Sequence, residues 1–388
     1  MLSLRRFLPR IAAALLAATA AGATEVRVDG AATFRTAVAS AVPGTRILLA
    51  PGDYGGGFHF PNLRGEPGRP IVIAAADPAR PPVFADANVA LHFSNPAHVE
   101  VHDLVITRMA HNGINLDDTG GPGGEAGAHH VLLQGLRVSD IGGAGNHDGI
   151  KASGVWDLTV RAGTVERWGT RGGSAIDLVG CHRVAIEDTV IRHREPAPPD
   201  CTGVQAKGGS SAVAIRRNRF EHAGGRAVNL GGSTGRAYFR PALADGGGHA
   251  EARDLLVERN VFIGSVAPVA FVGVDRAVVR FNTIERPGRW VARILQETRE
   301  ADFVPCRGGE FTDNLILYEG ARTAATLVNV GAGTAPETFV FARNAWLNLD
   351  APERSRPVLP VTETGGHYGL DRVQATGLAG ATAAAGGR

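Results

Sequence analysis

The chain has 388 residues, 52 of them glycine, with 6% aromatic residues and a formal charge of +2. Arg5, Arg6 and Arg10 supply that excess, and without the first 23 residues the charge is about −1 (2 − 3). A nucleic-acid or membrane-surface protein thereby loses its main support, and attraction for a polyanion must come from local clustering of charge.

Residues 1–23 read as a signal peptide. Three arginines precede an apolar stretch from Ile11 to Ala21, and Ala21-Gly22-Ala23 is a small-residue cleavage site. A periplasmic or secreted protein is expected. No other segment approaches the roughly 20 apolar residues that a membrane span needs. Phe34 to Ala41 is the best helix candidate, followed by a strand from Arg46 to Leu49 and a turn at Pro51-Gly52-Asp53-Tyr54. Such a helix would cover the open first rung of a β stack, whose unpaired edge invites association.

From about His98 to Trp346 a short pattern recurs nine times: apolar, x, apolar, two residues, a turn residue, x, apolar. Val99/Val101/Ile106, Val131/Leu133/Val138, Leu158/Val160/Val165 and Val184/Ile186/Ile191 are early copies. Val213/Ile215/Phe220, Leu255/Val257/Phe262, Ala277/Val279/Ile284 and Phe339/Phe341/Trp346 are later ones. In the last five copies the turn residue is Asn218, Asn260, Asn282, Asn314 and Asn344. Successive copies lie 22 to 42 residues apart, the spacing of a stacked-repeat architecture. The strands are short, β-branched and separated by Gly, Asn and Asp, with no helix between them, so the stack is a parallel β-helix. Asparagine tolerates positive φ and can bond to the same amide one rung away, which makes these five a structural ladder.

A stack grows in one dimension and needs no second core. Residues 24–376 therefore form one domain, and 377–388 (GLAGATAAAGGR from Gly377) a low-complexity tail. The step of 42 residues holds an insertion, 236–251, with Tyr238, Arg240 and His249 among glycines; long insertions leave a repeat fold on one face. Cys181, Cys201 and Cys306 have no metal spacing, and both a Cys181–Cys201 bridge and small buried thiols fit.

A second strand follows each early repeat: GINLD from Gly113, GIKAS from Gly149, AIDLV from Ala175, GVQAK from Gly203 and AVNLG from Ala227. Alternation sends Ile114, Ile150, Ile176, Val204 and Val228 inward. One outward column is then Asn115, Lys151, Asp177, Gln205 and Asn229; the next is Asp117, Ser153, Val179, Lys207 and Gly231. Val269-Ala-Phe-Val-Gly273 breaks the column with Phe271, so the groove ends there or the register slips by one. Any exposed face of a β-helix carries polar residues, but here amide and charge types persist over five rungs above an intact apolar column.

His147-Asp148, Arg226 and the insertion's Arg236, Tyr238 and Arg240 surround the strip. Cleaving a uronic-acid polymer by β-elimination needs a group to neutralise the carboxylate, a base for the adjacent proton and an acid for the leaving oxygen. Lys207 can serve as base if deprotonated, with Lys151 and Arg226 as candidate cationic neighbours; the plainer role is a partner for an acid such as Asp177. Tyr238 is a candidate acid if the insertion folds over the groove.

At these residues the chain resembles the right-handed parallel β-helix lyases of polysaccharide lyase family 6, the alginate lyase and chondroitinase B group. The resemblance spans most of the chain as architecture and is specific near Lys207 to Gly232. It implies an all-β, single-domain right-handed parallel β-helix with a short N-terminal capping helix. In that family a strand ends in the catalytic lysine, and Lys207 holds that position. A catalytic arginine follows about a rung later; by register its place falls to Gly231, with Arg226 at the other end of the strand. The family's acidic calcium ligands before the lysine are matched by Asp200, with Thr202 in place of a second acid. No metal ligand set follows, and calcium remains an open cofactor.

The expectation is an exported, monomeric lyase acting on an acidic polysaccharide, with Lys207, Arg226 and Tyr238 catalytic. Asn115, Lys151, Asp177, Gln205, Asn229, His147, Arg236 and Arg240 would bind the substrate. The alternatives are a glycoside hydrolase using Asp117, Asp148 and Asp177, a non-catalytic carbohydrate-binding β-helix, and an epimerase that returns the same proton.

Overall fold

The computed structural model describes residues 24–121 and 127–369; the expected signal peptide and the tail from Gly377 lie outside them. Short strands wind through three sheets in turn. Ala97–His102, Val105–Met109 and Ile114–Asp117 make one turn, and His129–Gln134, Arg137–Ile141 and Ile150–Ser153 the next. Each strand pairs in parallel with its equivalent one turn away. Among the described residues the sheets hold 12, 10 and 12 strands, the arrangement of a parallel β-helix. The ten-stranded one, from Phe58–Pro61 to Val328–Val330, is the groove sheet.

Inside, like stacks on like. Ile114, Ile150, Ile176, Val204, Val228 and Val269 form one paired, buried file. Burying a branched aliphatic side chain contributes about 1.5–3 kcal/mol, so this repetition is the main source of cohesion. The stack begins well before residue 98, with Glu25–Val28 paired to Arg46–Leu49.

The asparagine ladder forms. The backbone N–H and side-chain amide of Asn218 donate to Asn260 Oδ1 at 2.9 and 3.1 Å, and Asn260, Asn282 and Asn314 repeat the arrangement with the next rung. At the last rung Asn344 donates to Glu363. The expected positive φ falls elsewhere, on the residue just before each amide: Arg217, Arg259, Phe281, Asp313 and Arg343. The preceding residue absorbs the bend, and this leaves the amide in plane with the stack.

The helix forms at Ala31–Ala39, a turn earlier than its hydrophobic pattern indicates, and caps the open end. Its Phe34 is fully buried and meets Phe58, Phe60 and Tyr54 edge-on. All three cysteines are free and buried; burial pushes the Cys181 thiol up to about 12.

Candidate active site

The outward column has the register that alternation dictates. Asn115 pairs with Lys151, Lys151 with Asp177, Asp177 with Gln205 and Gln205 with Asn229. Beyond Asn229 the pairing stays in register, one residue off the sequence alignment: Leu230 pairs with Phe271, which is buried, and Asn229 with Ala270. The column therefore continues past the apparent break.

Its side chains bind one another along the stack. Lys151 Nζ donates to Asp148 Oδ2 at 3.0 Å and Asp177 Oδ2 at 2.9 Å, and Gln205 donates to Asp177 Oδ1 at 3.1 Å. Asn229 donates to Gln205 at 2.9 Å. Lys207 Nζ lies 3.6 Å from Asp177 Oδ1, with its side chain 21% exposed against 4% for the aspartate. Asp177 thus has closer partners than Lys207, whose amine faces a cavity.

The two aspartates are tuned apart. Burial, then repulsion from Asp177, pushes Asp148 up to about 6. Burial acts on Asp177 in the same sense, but Lys207 and Lys151 outweigh it and hold that carboxyl below its usual range. Burial works against the charge of Lys151, yet Asp177 and Asp148 together keep it above the usual lysine range. Lys151 is accordingly a fixed cation.

The insertion folds back over this strip. Arg240 lies against Gly180, whose φ is +60°; a Cβ there would come within 2.4 Å of the arginine's own Cβ. The Arg240 carbonyl accepts from His182 Nε2 at 2.9 Å, its N–H donates to the Gly208 carbonyl at 3.1 Å, and its guanidinium sits 3.3 Å from buried Asp118. Glu251 pins the other end of the insertion. Its carboxylate is buried and accepts from the Gly208 N–H at 3.1 Å, the Thr234 N–H at 2.9 Å and the hydroxyls of Thr234 and Thr298. Between insertion and sheet lies a cavity of about 320 Å³, lined by Lys151, Asp177, Lys207, Thr234, Tyr238 and Arg240 among others. That volume suits a small ligand or one sugar of a chain.

Five of the sequence-chosen residues, Lys151, Asp177, Lys207, Tyr238 and Arg240, thus meet at one place. Gln205 and Asn229 extend the network behind them, and Asn115 accepts from Asn112 at 2.9 Å further along the strip. Three more also lie outside the cavity. Arg226 reaches away from Lys207, to Asn229 at 3.1 Å and Glu297 at 2.6 Å, because it starts its strand while Lys207 ends the one before. Arg236 pairs with Asp302 at 2.8 Å, and His147 stacks on His111 with ring centroids 4.9 Å apart. Sequence reasoning missed Glu251, Thr234 and Asp118, which no local spacing connects to the strip.

The calcium position does not fit a calcium ion. Asp200 is exposed, and Thr202 has Ser174 and Arg226 as its register neighbours, so no second carboxylate joins it there. Among the described residues the nitrogens of His98, His129 and His130 cluster within 4.8 Å, but Arg64 lies 3.3 Å from His129 Nε2 and opposes a cation.

No family model and no curated protein matches the chain. Solved structures do. An alginate lyase from Paenibacillus sp. str. FPU-7 is 19% identical, over 89% of this chain and 98% of its own, with a TM-score of 0.53. A GH136 lacto-N-biosidase from Eubacterium ramulus is 12% identical over 89% and 68%, with a TM-score of 0.54. A mannuronan C-5 epimerase module from Azotobacter vinelandii is 13% identical over 87% and 93%, with a TM-score of 0.50. The chain is a divergent relative of these β-helices in fold. A lyase, a hydrolase and an epimerase share that fold, so the chemistry must be argued from the cavity.

Proposed function

We propose that this chain is an exported lyase that cleaves an acidic, uronate-containing polysaccharide by β-elimination. The observation that carries the reading is the convergence of Lys207, Lys151, Tyr238 and Arg240 on one cavity over the polar strip. Lys151 and Arg240 meet the sugar carboxylate, which acidifies the proton on the adjacent carbon. Lys207 is the base that takes that proton, and its amine nitrogen lies 3.6 Å from Asp177. The electron pair forms a carbon–carbon double bond and expels the glycosidic oxygen, which takes the Tyr238 phenolic proton. Lys207 then releases that proton to solvent, and the Tyr238 phenolate takes one up. Arg226, turned toward Glu297, is not part of this step.

Lys207→Ala is expected to lower the release of unsaturated, ultraviolet-absorbing product from alginate, pectate or a glycosaminoglycan by about a thousandfold. Undiminished release would remove Lys207 from the mechanism.

One observation favours a hydrolase: Asp148 and Asp177 have their proton affinities driven apart, as an acid and a second carboxylate require. Both carboxylates, however, are at most 4% exposed and clamped on the single ammonium of Lys151, so no sugar oxygen can enter between them. Asp117 is engaged elsewhere, by His92 and Ser94. New reducing ends without ultraviolet absorbance would establish the hydrolase instead.

A further inference from the structure

The groove sheet carries a second cluster of charge, beyond Ala270. The outward column runs from Asn229 through Ala270 to Arg293 and Asn329. Alanine puts no long side chain between the cavity's end of the strip and Arg293. Arg293 donates to Asn329 Oδ1 at 3.0 Å, and its guanidinium lies over the Trp290 ring, 4.5 Å from the centroid. The guanidinium of Arg289 lies over the same ring at 4.1 Å. The indole thereby holds two cations at a set spacing, where each alone would be a mobile side chain.

These arginines differ from several others along the stack. Arg183, Arg217, Arg276 and Arg343 each meet an aspartate one rung away, at 2.6–2.9 Å. Among the described residues Arg289 and Arg293 form no ion pair; the neighbouring acid, Glu297, is taken by Arg226 at 2.6 Å. Burial, then the charge of Arg226, works against the charge on Arg293. An incoming anion would relieve both effects. The cavity, by contrast, already balances its cations with Asp177, Asp148 and Asp118. The surplus positive charge of the groove is therefore at this end.

We propose that Arg289 and Arg293, organised by Trp290, form a carboxylate-binding subsite that anchors an acidic polysaccharide along the groove. The inference rests on reading the strip as a polyuronate groove. Three rungs separate the strand of Lys207 from that of Arg293, about 14 Å along the stack. A sugar chain lying along the axis reaches the anchor only if it extends about three residues beyond the cavity. A disaccharide in the cavity cannot reach it.

The test is titration calorimetry with the Lys207→Ala protein, which leaves a polymer intact. The probes are polymeric alginate, polygalacturonate, a uronate disaccharide and a neutral glucan. Adding Arg289→Gln and Arg293→Gln is expected to weaken binding of the acidic polymers at least about tenfold and to flatten its salt dependence. The same change should leave disaccharide binding within about twofold. Trp290→Leu, which keeps both charges but frees them, should give an intermediate loss. Equal affinity for polymer with and without the two arginines would overturn the subsite, as would equal losses for polymer and disaccharide, or no polymer binding by the parent. If polymer binding depends on the arginines while the wild-type protein releases no unsaturated product, the subsite stands and the lyase reading fails.

Discussion

Two polar columns run along the same stack and serve opposite ends. From Asn218 to Asn344 the ladder repeats one residue five times, each amide buried and bonded to the next. From Asn115 to Asn229 the groove strip changes residue at almost every rung, and its charges are coupled unevenly and open on a cavity. A repeated polar residue can satisfy itself by translation along the stack, so it stabilises. A changing one cannot; it leaves donors, acceptors and charge for something else. Along a β-helix, identity between rungs marks the scaffold and departure from identity marks the chemistry.

The comparison breaks most readily at Lys207. Lys207→Ala should remove activity while leaving the melting temperature nearly unchanged, since Asp177 keeps Lys151 and Gln205; a large drop in stability would make Lys207 a scaffold residue. Asn260→Ala should do the reverse. It strips the acceptor from two Asn218 donors and the donor from the Ile215 carbonyl, costing about 3 kcal/mol in denaturant unfolding, with activity per folded molecule retained. Next, Tyr238→Phe should lower kcat about a hundredfold with little change in KM, because the phenol is 66% exposed and supports no packing. A rise in KM alone would reduce it to a binding group.

The smallest effect sharpens the electrostatics of the strip. Asp148 has a folded-state pKa raised from 3.8 to about 6, so its contribution to stability is complete below the lower value and is lost as pH rises through the upper one. Asn at this position cannot ionise. The melting temperature of the wild-type protein relative to Asp148→Asn should therefore fall between about pH 4 and pH 7. Asp177, whose pKa is lowered, acts in the opposite sense and only at lower pH. A constant difference across that range would mean that Lys151 fully compensates both carboxylates.

Much of the scaffold was legible because it repeats. The apolar triples, the turn asparagines and the GIKAS-type strands each recur, and register follows from alternation once one rung is aligned. Legibility ended where repetition did. An alignment one residue out at Val269–Phe271 hid the continuation to Arg293. Arg226 sits at the start of its strand, as alternation indicated, but its bonds to Asn229 and Glu297 could not be read from the sequence.

The sequence by itself determined the stack, its ladder and the five-rung strip, since each depends on side chains one repeat apart and on the two-residue period of a strand. Only the tertiary structure decided which charges share a cavity. Tyr238 and Arg240 come from an insertion, and Glu251, Thr234 and Thr298 tie it down through contacts up to 47 residues apart. Contacts of that kind are fixed by how the loop closes over the sheet, and closure has no period to read.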